Sequence, residues 1–186
     1  MKDNRLVKIS KYLSYHLRHH PDKIGISLAP GGWVDVDELL DACRRDSFYV
    51  SRTELNKVVA HNDKQRFSFD ETDTKIRANQ GHSVEIDLQL AAAIPPDVLY
   101  HGTGHKAVKS IWREGLQKMS RHHVHLSPDL VTAKKVGARH GTPVVFTINT
   151  LGMLRDGYTF YCSDNGVWLV DSVPPEYLEL DSKLNC

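Results

Sequence analysis

Only three cysteines occur in 186 residues, Cys43, Cys162 and Cys186, far apart and with no CxxC pair among them. That scarcity excludes a disulfide framework and a zinc finger as the organising device. No uncharged apolar run approaches the ~20 residues that a membrane helix needs. The opening stretch MKDNRLVKISKYLSYHL scatters charges and lacks the apolar core of a secretory signal. Internal repeats and low-complexity tracts are missing. So are the GxGxxG fingerprint, the P-loop and the GxSxG elbow, which disfavours a Rossmann dinucleotide site, a phosphate-cradling loop and an α/β-hydrolase. What is left is 40% hydrophobic and 25% charged, the composition of a soluble globular chain rather than a disordered one. The length fits one ordinary domain or two small ones. The expectation is a cytoplasmic enzyme or binding protein without membrane attachment.

A net charge of +1 excludes a broadly cationic coat, yet it averages unlike segments. Residues 1–66 carry twelve Lys and Arg against nine Asp and Glu, and residues 67–100 carry two against six. Residues 101–142 carry eight against two, with six of the eleven histidines, and residues 143–186 carry two against six. Basic segments set between acidic ones suit an anionic ligand bound locally. The competing explanation is that Lys and Arg coat solvated helix faces, and charge alone leaves both open.

Along the chain, Leu6, Ile9, Leu13 and Leu17 recur at spacings of three and four, which predicts a helix that Pro21 stops. Ala29-Pro30-Gly31-Gly32 signals a turn before a short helix over Val36–Arg44. Ser51 and Glu54 match a capping box, so a third helix runs from Ser51 to about His61. Arg66–Asp70 alternates apolar and polar, and Lys75–Ala78 follows a polar turn, which predicts a hairpin. Three helices and a hairpin are the order of a winged-helix module, an order that unrelated folds share. Residues 81–96, with Ile94-Pro95-Pro96 near the end, read as a connection. Beyond it come strands at Val98–Thr103, Val124–Ser127, Val144–Ile148 and Val167–Val170. Helices are expected over His105–Glu114, closed by Gly115, and over Asp129–Val136.

Three constellations offer chemistry. Arg18-His19-His20 at the end of the first helix suits a phosphate held by forked, charge-assisted bonds. A helix C-terminus attracts cations without any ligand, so this reading has a plain competitor. In Arg121-His122-His123-Val124-His125, strand alternation puts Arg121, His123 and His125 on one face. HxH can ligate a metal, but no carboxylate or Cys lies nearby, so no metal is expected and a buried, hydrogen-bonded His is favoured. Tyr100-His101-Gly102-Thr103 ends a strand, where Gly lets a ligand approach the backbone and Thr adds a hydroxyl. The chain thus offers Arg, His and hydroxyls instead of paired carboxylates or an activated thiol.

Taken together, the sequence resembles the RNA 2′-phosphotransferases, the Tpt1/KptA family, over almost its whole length. The likeness rests on Ser14-Tyr15-His16-Leu17-Arg18-His19-His20-Pro21, Gly32-Trp33-Val34, Lys64-Gln65-Arg66-Phe67, Ile76-Arg77-Ala78-Asn79-Gln80-Gly81-His82-Ser83 and Leu99-Tyr100-His101-Gly102-Thr103. It continues in Arg121–Ser127, Lys135-Val136-Gly137-Ala138-Arg139-His140-Gly141 and Asn165-Gly166-Val167-Trp168-Leu169. The resemblance implies an α+β chain. A winged-helix RNA-binding lobe would span 1–80, a linker 81–96 and an ADP-ribosyltransferase-like, split antiparallel β lobe 97–186. It implies NAD⁺ as consumed co-substrate and RNA with an internal 2′-phosphate, such as a tRNA splice junction, as partner. A monomer is expected.

The implied reaction has two steps, first an RNA 2′-phospho-ADP-ribose intermediate with loss of nicotinamide. Transesterification then gives 2′-OH RNA and ADP-ribose 1″,2″-cyclic phosphate. The family's catalytic Arg-His-Arg-Arg set falls on Arg18, His19, Arg66 and Arg121, and the resemblance implies a site between the lobes. The His-Tyr-Glu positions of ordinary ADP-ribosyltransferases correspond to His101, His125 and Val167. Losing the Glu suits a nucleophile that is already anionic. Gly102, Thr103, Ser127 and Arg139 complete the expected NAD⁺ contacts. Two rivals stand beside this reading: an ADP-ribosyltransferase that stops after the first step on a terminal phosphate, and a non-catalytic nucleic-acid binder.

Overall fold

The three-and-four spacing of Ile9, Leu13 and Leu17 produces helix α1, Asn4–Arg18, with all three side chains fully buried. A computed structural model describes residues 4–61 and 65–180; Lys64 and Cys186 lie outside the described residues. The chain is α+β, with short helices and exclusively antiparallel strand pairs among the described residues. It divides into two compact units, Met1–Gln89 and Leu90–Cys186.

In the first unit α1 is followed by β1 (Val34–Asp35), α2 (Val36–Arg45), α3 (Arg52–Ala60), β2 (Phe67–Phe69) and β3 (Lys75–Ala78). Asp35 caps α2, its carboxylate accepting from the Asp37 and Glu38 amides at 2.9 and 3.1 Å. The expected capping box at α3 is present in both directions between Ser51 and Glu54. Such a cap contributes about 1 kcal/mol. The hairpin pairs Phe67 with Ala78 and Phe69 with Ile76, and β1 joins its other side through Val34 opposite Ile76. Phe67, Ile76 and Ala78 thereby meet Leu13, Leu17, Leu39 and Leu55 in one core. Within the stretch 81–96, residues 81–89 count with this unit. Their backbone bonds to it, Ser83 N–H to Arg18 O at 2.9 Å and Gly31 N–H to Asp87 O at 2.7 Å.

The second unit contains β4 (Val98–Gly104), α4 (Val108–Glu114), β5 (Leu116–Gln117), β6 (Val124–Leu126), α5 (Leu130–Gly137) and β7 (Pro143–Asn149). It continues with α6 (Thr150–Arg155), β8 (Tyr161–Cys162), β9 (Trp168–Val170), β10 (Ser172–Val173) and β11 (Leu178–Leu180). The strands form sheets ordered β11-β7-β4, β6-β9-β8 and β10-β5. A two-bond bridge between Tyr100 and Ser127 ties the end of β6 to β4. The core gathers Leu99, Leu126, Phe146, Ile148, Met153, Phe160 and Val170. Gly115 closes α4 at φ 75°, a conformation glycine adopts without a Cβ penalty. Asp129 caps α5 by accepting from Thr132 N–H at 2.7 Å. The sequence pattern did not announce α6 or the two-residue strands, which are too short for any period to register.

Candidate active site

On the first unit, α1 and the residue before β2 frame an open pocket of about 310 Å³ lined by Ser10, Lys11, Ser14, Tyr15, Arg18, His19 and Arg66. Ser10, Ser14 and Arg18 stand four residues apart and so form one stripe of the helix. The structure therefore brings Arg18, His19 and Arg66 together, three residues named from sequence for one task. Arg66 Nη1 lies 3.5 Å from Ser10 Oγ.

Two residues that the sequence quoted without a role hold this constellation. Asn79, 6% exposed, donates through Nδ2 to Gln65 O at 2.7 Å, and its amide donates to Arg66 O at 2.9 Å. Gln65 is a non-glycine at φ 40°, so Asn79 clamps an uncommon backbone turn beside Arg66. Ser83 does the same for His19. Its Oγ lies 2.8 Å from His19 Nδ1, and its amide anchors to Arg18 O. This contact fixes the orientation of the His19 ring. Ser14 Oγ is buried in the pocket wall and, among the described residues, has no hydrogen-bond partner. The signal for Asn79 and Ser83 was their place in Ile76–Ser83; sequence separation hid what they touch.

On the second unit, His101, on β4, donates through Nδ1 to His125 O at 3.0 Å. Burial pushes its pKa below the ordinary imidazole value, and the charges of His140 and Arg121 add to that against the His125 hydrogen bond. A neutral ring with Nδ1 as donor presents Nε2 as a bare acceptor. Arg121, exposed in the turn before β6, places Nη1 3.4 Å from His125 Nδ1. Arginine only donates, so His125 accepts there. Ser127 is fixed by its backbone exchange with Tyr100 at 2.8 and 2.9 Å. The register Leu126↔Trp168 places Val167 one step on, opposite Ser127. His101, Arg121, His125, Ser127 and Val167 thus share one neighbourhood.

Gly102, Thr103 and Arg139 gather at a different place, around α5. Thr103 is 9% exposed, and Arg139 is exposed in the turn Ala138–His140 that follows the helix. An added Cβ on Gly102 would stand 1.7 Å from Ala133 O. The glycine is therefore accounted for by a helix lying against the strand backbone. His123 packs its ring against Tyr161 at a centroid distance of 5.4 Å. Among the described residues no group of three or more His, Cys, Asp and Glu is placed to hold a metal ion, and no helix is long and apolar enough to cross a membrane.

A family model described as RNA 2′-phosphotransferase, Tpt1/KptA family, matches residues 4–172. The chain is 69% identical over 179 residues to a probable RNA 2′-phosphotransferase of Nostoc punctiforme, a match covering 96% of this chain and 99% of that protein. It is 51% identical over 181 residues to a protein of the same description from Herpetosiphon aurantiacus, covering 97% and 100%. With another from Burkholderia pseudomallei it shares 52% identity over 172 residues, covering 92% and 94%.

Proposed function

The chain belongs to the RNA 2′-phosphotransferase, Tpt1/KptA family, and from that premise we propose NAD⁺-dependent removal of an internal RNA 2′-phosphate in two steps. The observation that carries this reading is the convergence of Arg18, His19 and Arg66 on one open pocket with helix hydroxyls beside them. Two guanidinium groups and an imidazole suit a dianionic phosphate, each charge-assisted bond contributing about 1.5–3 kcal/mol. The first unit is read as a winged-helix RNA-binding lobe and the second as an ADP-ribosyltransferase-like lobe.

The residues of the second unit fit a dinucleotide. His101 Nε2 accepts from a ribose hydroxyl, Thr103 and Ser127 supply hydroxyls, and Arg139 supplies a cation for the diphosphate. Val167 takes the place where a carboxylate would repel the incoming phosphate. The co-substrate contributes an electrophilic ribose carbon. Arg18 and Arg66 hold the 2′-phosphate while one of its oxygens bonds to that carbon and the carbon–nitrogen bond to nicotinamide breaks. In the second step the adjacent ribose hydroxyl attacks phosphorus, its proton passing to solvent, and the RNA 2′-oxygen departs. Arg121 stabilises the charge that gathers on the equatorial oxygens. His19, with Nδ1–H donated to Ser83 Oγ in its charged form, gives the Nε2 proton to the departing 2′-oxygen. The products are 2′-OH RNA, nicotinamide and ADP-ribose 1″,2″-cyclic phosphate. The expected setting is cytoplasmic, acting as a monomer on RNA such as a spliced tRNA.

Purified protein incubated with NAD⁺ and an oligoribonucleotide bearing one internal 2′-phosphate should release nicotinamide and the cyclic phosphate in equal amounts. ADP-ribosylated RNA as a stable end product would favour an enzyme that stops after the first step. RNA binding without any turnover would favour a non-catalytic module. In the same assay Ser83→Ala should slow turnover about 2- to 12-fold, the worth of one net hydrogen bond. The loss should fall on the second step, because the partner removed orients the group that gives its proton to the departing 2′-oxygen. Ser83→Thr, which keeps the hydroxyl, should restore the rate; an Ala variant that slows nicotinamide release and cyclic phosphate formation equally would show that Ser83 acts only on the backbone.

A further inference from the structure

The outward face of α1 is unlike that of an ordinary surface helix. Over 15 residues it contains no Asp or Glu, while Arg5, Lys8, Lys11 and Arg18 supply cations. Those in the first half oppose the helix dipole, which favours acidic residues there. Arg5 is matched by Glu54 at 3.1 Å from α3. Lys8 and Lys11 have no acid on their own helix at any spacing and are exposed. Helix stability therefore does not explain them.

Lys8, Lys11, Tyr15 and Arg18 follow one another at three, four and three residues, a single stripe that runs into the pocket. Lys11, Tyr15 and Arg18 all line it. Tyr15 is 41% exposed, an aromatic ring at the rim of a polar pocket. Its hydroxyl accepts from Lys23 Nζ at 2.6 Å, the ammonium lies 5.2 Å from the ring centre, and the His20 ring is 4.7 Å away. The ring is held in place while much of it faces solvent. Cations tracking a backbone beside an aromatic platform are the means by which single-stranded nucleic acid is bound without sequence preference. From Lys8 to Arg18 the helix rises about 15 Å, long enough to meet more than one backbone phosphate.

We propose that this stripe is the track for the RNA strand, with Tyr15 stacking the base of the nucleotide that carries the 2′-phosphate and Lys8 and Lys11 meeting neighbouring backbone phosphates. The proposal rests on the reading of Arg18, His19 and Arg66 as the 2′-phosphate site. It adds a substrate requirement: the enzyme needs a base at the modified nucleotide but does not read which base.

The test is equilibrium binding, without NAD⁺, of a fluorescein-labelled single-stranded hexaribonucleotide with one internal 2′-phosphate. Tyr15→Ala should weaken binding about 5- to 150-fold, and Tyr15→Phe should stay close to wild type. Removing the base from the phosphorylated nucleotide should cost wild type a similar factor and cost Tyr15→Ala little more. Losses that multiply independently would overturn the stacking. Should the Ala variant fail to fold by circular dichroism, Tyr15→Leu takes its place in the same cycle. The double variant Lys8→Gln/Lys11→Gln should make the slope of log K against log salt shallower by about 1.4; an unchanged slope would overturn the track. A wild type that binds phosphorylated and unphosphorylated hexamers equally would instead break the phosphate-pocket reading, and the track with it.

Discussion

Gly102→Ala is expected to destabilise the second unit by about 3 kcal/mol or more, at the upper end of what overpacking costs. The reason is local and severe. The new Cβ would stand 1.7 Å from Ala133 O, 2.5 Å from the carbon of that carbonyl and 2.9 Å from Gly137 N. All three are backbone atoms of α5, so no rotamer change relieves the contact and the helix itself must lift from β4. The same close approach recurs at Gly104, where a Cβ would meet His140 O at 2.3 Å, and at Gly137, where it would meet Thr103 O at 2.8 Å. Three glycines on two elements thus let a helix lie on a strand backbone to backbone. Calorimetry should show the melting temperature falling by about 6–12 °C, given ~2–4 °C per kcal/mol for a chain of this size. Gly141→Ala is the control. Its φ is 114° but nothing lies within 4 Å of the added Cβ, so it carries backbone strain alone. A Gly102→Ala protein that melts no lower than the Gly141→Ala protein would mean that α5 does not lie so close.

The fate of Gly102 illustrates what the sequence could and could not disclose. A glycine at the end of a buried strand reads equally as room for a ligand and as room for a helix, because both need the same missing Cβ. Only the position of Ala133, thirty-one residues later, decides which group fills the space beside it. Local devices were legible for the opposite reason. Ser51 with Glu54 and Gly115 after α4 act within four residues, and each stands where the pattern puts it; Asp129, read as the first residue of the next helix, instead caps it from one position before. Helix α6 escaped notice because six residues cannot display a period, although Asn149 accepting from Gly152 N–H marks its start. For the site, spacing within α1 predicted that Arg18 and His19 lie together at its end, but nothing local ties Arg66 to Ser10 or Ser83 to His19. Those pairings are set by the hairpin and by the return of residues 81–89, at separations of 56 and 64 residues.

Arg121→Ala should slow attack on phosphorus about 10²- to 10³-fold, the cost of removing one preorganised group from developing negative charge, and should slow nicotinamide release much less. In the reaction proposed, the two steps differ in where charge accumulates. During nicotinamide loss, positive charge builds on the ribose, and a further cation nearby gives no advantage there. During attack on phosphorus, negative charge collects on equatorial oxygens, and a guanidinium fork matches that geometry. Arg121 is suited to the second task because it is exposed in a turn yet oriented, Nη1 facing His125 Nδ1 at 3.4 Å while its amide donates to Lys118 O at 3.0 Å. A neutral acceptor such as His125 steers the guanidinium without neutralising it, whereas a carboxylate in that position would consume the charge. Single-turnover reactions, quenched and assayed separately for nicotinamide and cyclic phosphate, should therefore show ADP-ribosylated RNA accumulating in the variant. Arg121→Lys should recover only part of the rate, since an ammonium keeps the charge and loses the fork. Equal slowing of both steps would place Arg121 in substrate binding instead, because a group that holds ground state and transition state alike cannot favour one step over the other.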